Sequence, residues 1–290
     1  MLRYLFICNP NAGRRNSLKI LDRALQYSGI SYRIDTTQYK GHATIIANDQ
    51  AAYFDCIVVV GGDGTLNEVI NAKAVHTKII GLIPAGSGND FARSCGIPIN
   101  DISRALDVVI QGQTKLIDLG VINEKYFING LGFGLSEQAN KLAIKYSLLL
   151  GGLKYYVGVL LALLFGSHID ITLQVDDARL SGPTLLLSIA NGCFQGNGIN
   201  VAPTASLSDG KLQIMHCEQV SLLKRFIGMY YFLKGKQHKM PKTTLIHSNQ
   251  LSITSSGDIA LQSDGELISL PGCITIQVLP QTINFIGIWK

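Results

Sequence analysis

Two different hydrophobic patterns divide the chain near residue 120. In the first part, short continuous apolar runs such as residues 56–60 alternate with stretches in which apolar residues recur at helical spacing. A strand that is apolar throughout is typical of a sheet buried on both faces, and therefore of parallel pairing. The pattern predicts a doubly wound α/β domain over residues 1–120, with strands at 3–8, 31–36, 56–60 and 79–83 and helices at 17–27, 43–48 and 66–72.

The second part of the chain has the alternation of half-buried antiparallel strands. Residues 169–175 alternate strictly between apolar and polar side chains. Further strands are predicted at 184–190, 211–215, 251–254, 259–263 and 274–278, and apolar helices at 137–149, 153–165 and 221–233. We therefore expect a β-rich, antiparallel and sandwich-like domain over residues 121–290, of which the last ten residues pack back on the first domain.

Composition narrows the class of protein. Apolar residues make up 47% of the 290 positions and charged residues 16%, which excludes a disordered chain. The six cysteines form no C-x-x-C pair, so a zinc ribbon and a thioredoxin-type motif are excluded, and we expect reduced, buried cysteines in a cytoplasmic protein. Residues 148–166 are the most apolar segment, but Lys154 interrupts them, so they predict a buried or interfacial helix rather than a membrane span.

The positive charge is concentrated in one segment. Residues 219–257 contain no Asp or Glu and carry six Lys and Arg, more than the net charge of +5 for the whole chain. Lys224 and Arg225 lie among the apolar residues of the helix predicted at 221–233. A basic segment beside apolar residues suits an anionic membrane surface or nucleic acid, and a solvated helix and loop is the alternative.

Three polar or glycine-rich turns follow predicted strands. They are residues 9–13 (NPNAG), 61–68 (GGDGTLNE) and 84–93 (PAGSGNDFAR). Turns after parallel strands share one edge of the sheet, where ligands bind in open α/β sheets, and free helix amides there favour phosphate. Glycine permits close approach of a ligand, and a positive φ is open to Gly64. The Walker A and complete Rossmann patterns are absent, so the turns predict a nucleotide site of another kind.

Acidic residues recur at turn-like positions. They are Asp63, Asp90, Asp118, Asp209, Asp264 and Glu266. Acids in a phosphate site would repel the ligand unless Mg²⁺ intervenes, and a kinase also needs a base for the accepting hydroxyl. Each acid taken singly can equally be a turn residue or a helix cap. The residues alone do not rank Asp264 and Glu266 as candidate bases.

Together these motifs resemble the soluble lipid kinases, meaning the diacylglycerol and sphingosine kinase catalytic domains and their bacterial relatives. The resemblance rests on residues 9–13, 37, 41–43, 61–71, 86–93, 118–120, 208–212 and 263–266. It is weakest over 140–185. The family often has Thr where this chain has Ser87, which keeps the hydroxyl.

The resemblance implies specific site residues. It implies an ATP site in the cleft between the domains, Mg²⁺ held by Asp209 with main-chain oxygens of Ser206 and Lys211, and Glu266 as the base that deprotonates the lipid hydroxyl. Its implied ATP-binding residues are Asn9, Pro10, Asn11, Ala12, Gly13, Thr37, Gly62, Asp63, Gly64, Thr65, Leu66, Asn67, Glu68 and Ser87.

The resulting hypothesis is an ATP-dependent lipid kinase, with diacylglycerol as the expected acceptor and phosphatidic acid as the product. We expect a cytoplasmic protein, peripheral at the inner face of an anionic membrane, and no nucleic-acid partner. Two alternatives stay open: an NAD kinase-like phosphotransferase, and a non-catalytic nucleotide- or lipid-binding protein. The apolar helices and the Asn89-Asp90-Phe91 sequence favour the lipid kinase, and the presence of Asp209 and Glu266 argues against a non-catalytic protein.

Overall fold

The computed structural model describes residues 2–12, 17–146 and 154–289. The chain forms two units, one made of Met1–Leu119 with Pro280–Lys290 and the other of Gly120–Leu279. The last strand contributes to both, because its first residues pair within the second unit and Asn284 and Phe285 pair within the first.

The first unit alternates strands and helices, as the apolar runs predict. The helix at 102–111 was missed, although Asp101 caps it by accepting a hydrogen bond from the amide of Arg104. The elements are β1 Arg3–Cys8, α1 Ser17–Gln26, β2 Ser31–Thr36, α2 His42–Gln50, β3 Cys56–Gly61, α3 Asp63–Ile70, β4 Ile79–Pro84, α4 Asp90–Ser94 and α5 Ile102–Gln111.

The strands of the first unit pair in parallel in the order β2-β1-β3-β4. The chain runs from β1 outward to β2 and then back past β1 to β3. Because such crossovers are right-handed, this reversal places the connecting helices on opposite faces of the sheet. Accordingly α1 packs against α5, and α2 packs against α3. The doubly wound α/β prediction is confirmed.

The sheet of the first unit is buried on both faces. All of β3 is buried, and so are the last five residues of β1. Burial raises the pKa of Cys8 and of Cys56 to about 12, so both thiols stay protonated and inert. All six cysteines are free, but the expectation that they are buried is wrong for Cys273, which is exposed on a strand with one solvent-facing side, and Cys193 is only partly buried.

The second unit is rich in antiparallel strands, as the alternation predicts. Six of its strands were predicted, whereas those at 114–122, 125–127, 130–134, 194–195, 199–200, 243–248 and 266–270 were missed. The elements, of which the first begins in the preceding unit, are β5 Thr114–Ile122, β6 Lys125–Phe127, β7 Gly130–Gly134, α6 Leu135–Lys145, α7 Lys154–Phe165, β8 Ile169–Val175, β9 Ala178–Ala190, β10 Phe194–Gln195, β11 Ile199–Asn200, β12 Leu212–Glu218, α8 Leu222–Leu233, β13 Thr243–Ser248, β14 Gln250–Thr254, β15 Ile259–Ser263, β16 Glu266–Leu270 and β17 Cys273–Ile286.

The long strand β9 organises the second unit. Its first half pairs with β8, and its second half lies between β7 and β12. Outward from these, β15 and β16 continue the sheet beside β7, and β14 and β17 continue it beside β8. The inward residues form one apolar core that includes Phe127, Phe133 and Leu187.

Three helices pack beside the strands of this unit, of which α7 and α8 are apolar, whereas α6 is mixed and not the apolar helix that the sequence predicts. Helices α6 and α7 approach so closely that a Cβ at Gly158 would lie 2.5 Å from the carbonyl oxygen of Ala139, and α7 also contacts α8. In the described part of the chain, no helix is both long and apolar enough to span a membrane. Residues 148–153 of the apolar segment lie outside the described residues.

Arg225 does not contribute to the exposed positive charge that the basic segment at 219–257 predicts. Its guanidinium donates to the carbonyl oxygens of Leu163 and Gly166, at 3.1 and 2.8 Å. A cation at the end of a helix pairs the last carbonyls and complements the helix dipole. Arg225 therefore joins α8 to the C-terminus of α7, whereas Lys224 beside it is exposed.

Candidate active site

The turns that follow the parallel strands form one continuous edge in the first unit. The amide of Thr37 donates to the carbonyl of Cys8, that of Asn9 to Val60, and that of Ala85 to Gly61, at 2.8–2.9 Å. The hydrogen bonding between neighbouring strands thus continues one step beyond the strands and holds the turns side by side. The turns after β1 and β3 lie where the crossovers diverge, which is where open α/β sheets bind ligands.

Asn9 joins the first two of these turns. Its Oδ1 accepts the amide of Asn11 at 2.9 Å, and its Nδ2 donates to the hydroxyl of Thr65 at 3.0 Å. Because the Asn11 amide can only donate, the orientation of the Asn9 side chain follows from the backbone. Pro10 and Asn11 are exposed beside it, and Ala12 closes the turn onto the Asn9 carbonyl. Gly13 lies outside the described residues.

Two glycines let the second and third turns touch through their backbones. A Cβ on Gly86 would lie 2.5 Å from the Cα of Gly62, and one on Gly62 would lie 3.1 Å from the Cα of Gly86. Asn89 fixes this contact by bonding to both the amide and the carbonyl of Gly86. These glycines are therefore required by packing within the protein, before any ligand is considered.

Gly64 is different. It lies in the first turn of α3, is exposed, and would bring a Cβ within 4 Å of no described atom outside its own helix. Its φ is not positive, so the suggestion of a left-handed conformation at Gly64 is wrong. The space beside this glycine is open to a ligand.

The start of α3 has backbone amide groups and no capping side chain. Gly62 is its N-cap, without a side chain to cap the helix, and the amide of Leu66 is the first to reach an acceptor, the Gly62 carbonyl. The amides at 63–65 precede the first intrahelical bond and suit an anion. Leu66 itself is fully buried, so its side chain packs in the core, and Asn67 bonds to Asn71.

The acidic residues of this motif are bound to backbone amides. Asp63 accepts the amides of Asp90 and Phe91, both at 3.0 Å, at the start of α4. Glu68 accepts the amide of Ala43 at 3.2 Å, at the start of α2. The helix-cap interpretation is thus confirmed for Asp63, and Glu68 has a similar role that the sequence did not predict. Ser87 is exposed in the following turn.

The predicted metal residues lie in one loop of the second unit. Asp209 is exposed, and its Oδ1 accepts the amide of Lys211 at 3.1 Å. The described residues contain no cluster of three His, Cys, Asp or Glu side chains that could hold a metal. One carboxylate with carbonyl oxygens from Ser206 and Lys211 fits a hard cation such as Mg²⁺ that keeps several waters.

A tight hairpin carries Glu266. Asp264 and Gly265 connect β15 to β16 with φ angles of 46° and 90°, which is a type I′ turn. The Asp264 carboxylate accepts the amides of Ile128, Asn129 and Gly130 at 2.8–2.9 Å. Asp264 therefore joins this turn to the start of β7, and this argues against it as a base. Glu266 follows, half-buried, as the first residue of β16.

The strand ladder places the hairpin and the Asp209 loop at the same end of their sheet. Gln213, two residues after Lys211, pairs with Ala190, which pairs with Gly130, and Gly130 lies against Asp264. Strands β7 and β9 lie between the two sites, which corresponds to about 14 Å at strand spacing.

Asn89, Asn140 and Gln262 have positional roles that sequence reasoning did not identify. Asn89 belongs to a glycine-rich turn that the sequence singled out. Asn140 and Gln262 lie inside a helix and a strand, where the sequence does not distinguish a positioning amide from an ordinary polar residue. Both bond to Gly265, next to Glu266.

Comparison with known proteins assigns both parts of the chain. Residues 3–122 match the family described as the diacylglycerol kinase catalytic domain, and residues 130–287 match the YegS C-terminal NAD kinase beta sandwich-like domain. The chain is 33% identical over 273 residues to a diacylglycerol kinase of Bacillus subtilis, covering 92% of this chain and 90% of that one. The chain belongs to the diacylglycerol kinase family.

A second relative has the same name, and two solved structures have the same fold. A diacylglycerol kinase of Staphylococcus epidermidis is 30% identical and covers 91% of this chain and 85% of its own. A crystal structure of a diacylglycerol kinase from Bacillus anthracis has a TM-score of 0.74 at 21% identity, and a second chain from that organism has 0.83 at 24%, each covering 99% of this chain and 97% of its own. These structures show that the fold is shared.

The position of Asp264 predicts a loss of stability in Asp264→Asn. Asn tolerates the positive φ, but its NH₂ group would face a backbone donor, and one charge-assisted hydrogen bond would be lost. We expect the free energy of unfolding to fall by about 2 kcal/mol in urea denaturation. Asp258→Asn is the matched control, because Asp258 is exposed in the same unit. Equal stability of the two variants would contradict the assignment.

Proposed function

We propose that this lipid kinase transfers the γ-phosphoryl group of ATP to the hydroxyl of diacylglycerol, giving phosphatidic acid and ADP. The observation that supports this most strongly is the similarity over nine-tenths of the chain to proteins named diacylglycerol kinase. In the reaction, the lipid hydroxyl oxygen bonds to the γ-phosphorus while the bond to the ADP oxygen breaks. The hydroxyl proton passes to a base, the role that we assign to Glu266.

The first unit is the proposed ATP-binding part. The amides at 63–65 donate to phosphate, and Asn9, Thr37, Thr65 and Ser87 bring polar groups to the same edge of the sheet. These turns contain no lysine, and their basic residue is Arg93 at the end of the third turn. The Mg²⁺ that we assign to Asp209, with main-chain oxygens of Ser206 and Lys211, would be a structural ion that fixes this loop of the second unit.

Activity on a lipid panel tests the proposed reaction. With labelled ATP and mixed micelles, we expect label in diacylglycerol and little in phosphatidylglycerol, sphingosine, ceramide, undecaprenol or NAD. Glu266→Gln keeps the size of the side chain and removes its basicity, and should lower kcat about 10²–10⁴-fold while ATP affinity stays within twofold. Labelling of NAD in preference to every lipid would contradict the proposal, as would unchanged kcat in Glu266→Gln.

The open space at Gly64 predicts a selective loss of nucleotide binding in Gly64→Val. No described neighbour obstructs the new side chain, so the melting temperature should stay within 2 °C, whereas ATP affinity should fall at least tenfold, on the order of 1.4 kcal/mol. Gly257→Val is the control, since Gly257 is equally unobstructed but lies in the second unit. If calorimetry gives the same Kd for ATP in both variants, this turn is not part of the nucleotide site.

The Asp209 loop predicts an altered dependence on Mg²⁺. Asp209→Ala removes the carboxylate of the proposed site, so the Mg²⁺ concentration for half-maximal activity should rise at least tenfold and excess Mg²⁺ should restore activity only in part. Asp258→Ala, which removes another exposed carboxylate of the same unit, should match the wild type. A magnesium titration that superimposes on the wild type would contradict the site.

We further propose that α7 and α8 touch the membrane that holds the lipid. Large apolar side chains of both helices face solvent, among them Tyr156, Leu160 and Leu223 at 67%, 48% and 72% exposure. Lys224, Lys234, Lys236 and Lys239 are exposed on α8 or just after it. We name these seven residues the docking surface. Apolar side chains beside lysines match the acyl boundary and charge of an anionic bilayer.

The docking surface predicts different effects for two neighbouring basic residues. Lys224→Ala should weaken binding to phosphatidylglycerol vesicles roughly fivefold at low salt, because one lysine contributes about 1 kcal/mol, and the loss should shrink as salt rises. Arg225→Ala should instead lower stability, because it breaks the link to α7. Vesicle sedimentation and urea denaturation measure the two effects. Equal binding of the wild type to neutral and anionic vesicles would contradict electrostatic docking.

A further inference from the structure

The residue before Glu266 is held by two side chains from outside the turn. The amide of Gly265 donates to Oε1 of Gln262 at 2.8 Å, and the carbonyl of Gly265 accepts from Nδ2 of Asn140 at 2.7 Å. That carbonyl belongs to the same peptide plane as the amide nitrogen of Glu266. Asn140 therefore orients the peptide from which Glu266 extends.

Glycine is the residue that most needs such restraint. Gly265 has a φ of 90° and no neighbour within 4 Å of a Cβ position, so no packing at that position restrains it. The pairing of Ser263 with Glu266 fixes where β16 begins, and the two hydrogen bonds fix the tilt of the peptide between Gly265 and Glu266. The bonds from Gln262 and Asn140 restrain the two peptide planes on either side of this residue.

The backbone also dictates how these amides are turned. The Gly265 amide can only donate, so Gln262 must present Oε1 to it, and its Nε2 then donates to Oε1 of Gln195 at 3.2 Å. Gln262 is 6% exposed, which shields these bonds from competing water. A chain of amides thus runs from β10 to the turn and holds Gln262 in its rotamer.

We propose that Gln262 and Asn140 are positioning residues for Glu266, with no contact of their own to the substrates. This inference rests on the proposed function, in which Glu266 removes the proton of the lipid hydroxyl. A general base acts only within hydrogen-bond reach of that proton, so loss of orientation at Gly265 lowers the rate of the chemical step. Binding of ATP, which involves the first unit, does not depend on it.

Gln138 provides a matched control on the same helix. Its side-chain amide also bonds to a backbone carbonyl and a backbone amide, both of Ser167, at 2.9 and 3.0 Å. Gln138→Met removes two hydrogen bonds of the same kind from α6 without touching Gly265. Any effect common to Gln138→Met and Asn140→Leu is an effect on the helix and not on Glu266.

The experiment compares Gln262→Met, Asn140→Leu, Gln138→Met and Glu266→Gln in the full chain. We measure kcat and KM for ATP and diacylglycerol in mixed micelles, and the urea midpoint of each variant. We expect kcat to fall 10- to 100-fold in the first two variants with the KM for ATP within twofold, and to stay within twofold in Gln138→Met. Gln262→Glu, which keeps an acceptor for the Gly265 amide, should recover at least half of the lost kcat on a logarithmic scale.

Three outcomes would overturn the inference. Folded Gln262→Met and Asn140→Leu with wild-type kcat would do so, as would an equal fall in Gln138→Met. If buried Gln262→Met does not fold, half-buried Asn140→Leu decides the question. Normal kcat in Glu266→Gln would remove the base and the inference with it, whereas a low kcat there with normal Asn140→Leu would leave the proposed function intact and refute only the positioning role.

Discussion

Backbone amides in the turns of this protein need acceptors, and carboxylates from distant parts of the chain provide them. Asp264 accepts three amides at 128–130, Asp63 accepts two at the start of α4, and Glu68 accepts one at the start of α2. Buried amides without an acceptor are costly, and an ionised acceptor roughly doubles the strength of the bond. The shapes of the candidate site's turns therefore depend on these carboxylates.

This constraint separates the acids that build the site from those assigned to its chemistry. The carboxylates of Asp63 and Asp264 hold two and three backbone amides, so both acids have structural roles. Glu266 stands one residue beyond the turn that Asp264 holds, and Asp209 is exposed in its loop. The position of the proposed base is therefore set by the turn before it, and that of the proposed metal ligand by the loop that carries it.

In the apolar helices of the second unit, a basic side chain also pairs backbone groups of a distant segment. Helix α7 is apolar on all sides, and its last carbonyls are paired by Arg225 of α8, so a cation that sequence reasoning assigned to the surface stabilises a helix end instead. The exposed charge then rests with lysines, whose long side chains keep the ammonium in solvent. Apolar side chains left exposed on both helices are the property that a lipid kinase with a membrane substrate would use.

Periodicity along the chain was sufficient for the architecture, because burial on one or both faces of an element leaves a pattern in consecutive residues. It predicted the four parallel strands β1–β4 and six later strands, β8, β9, β12, β14, β15 and β17. It missed β5, β6, β10, β11, β13 and β16 as well as the glycine-rich β7. Spacing also placed three turns at one sheet edge. The roles of Asp264, Asn140 and Arg225 were decided only by the tertiary structure, since their partners lie 59 to 136 residues away, and no local pattern records which distant amide or carbonyl a side chain reaches.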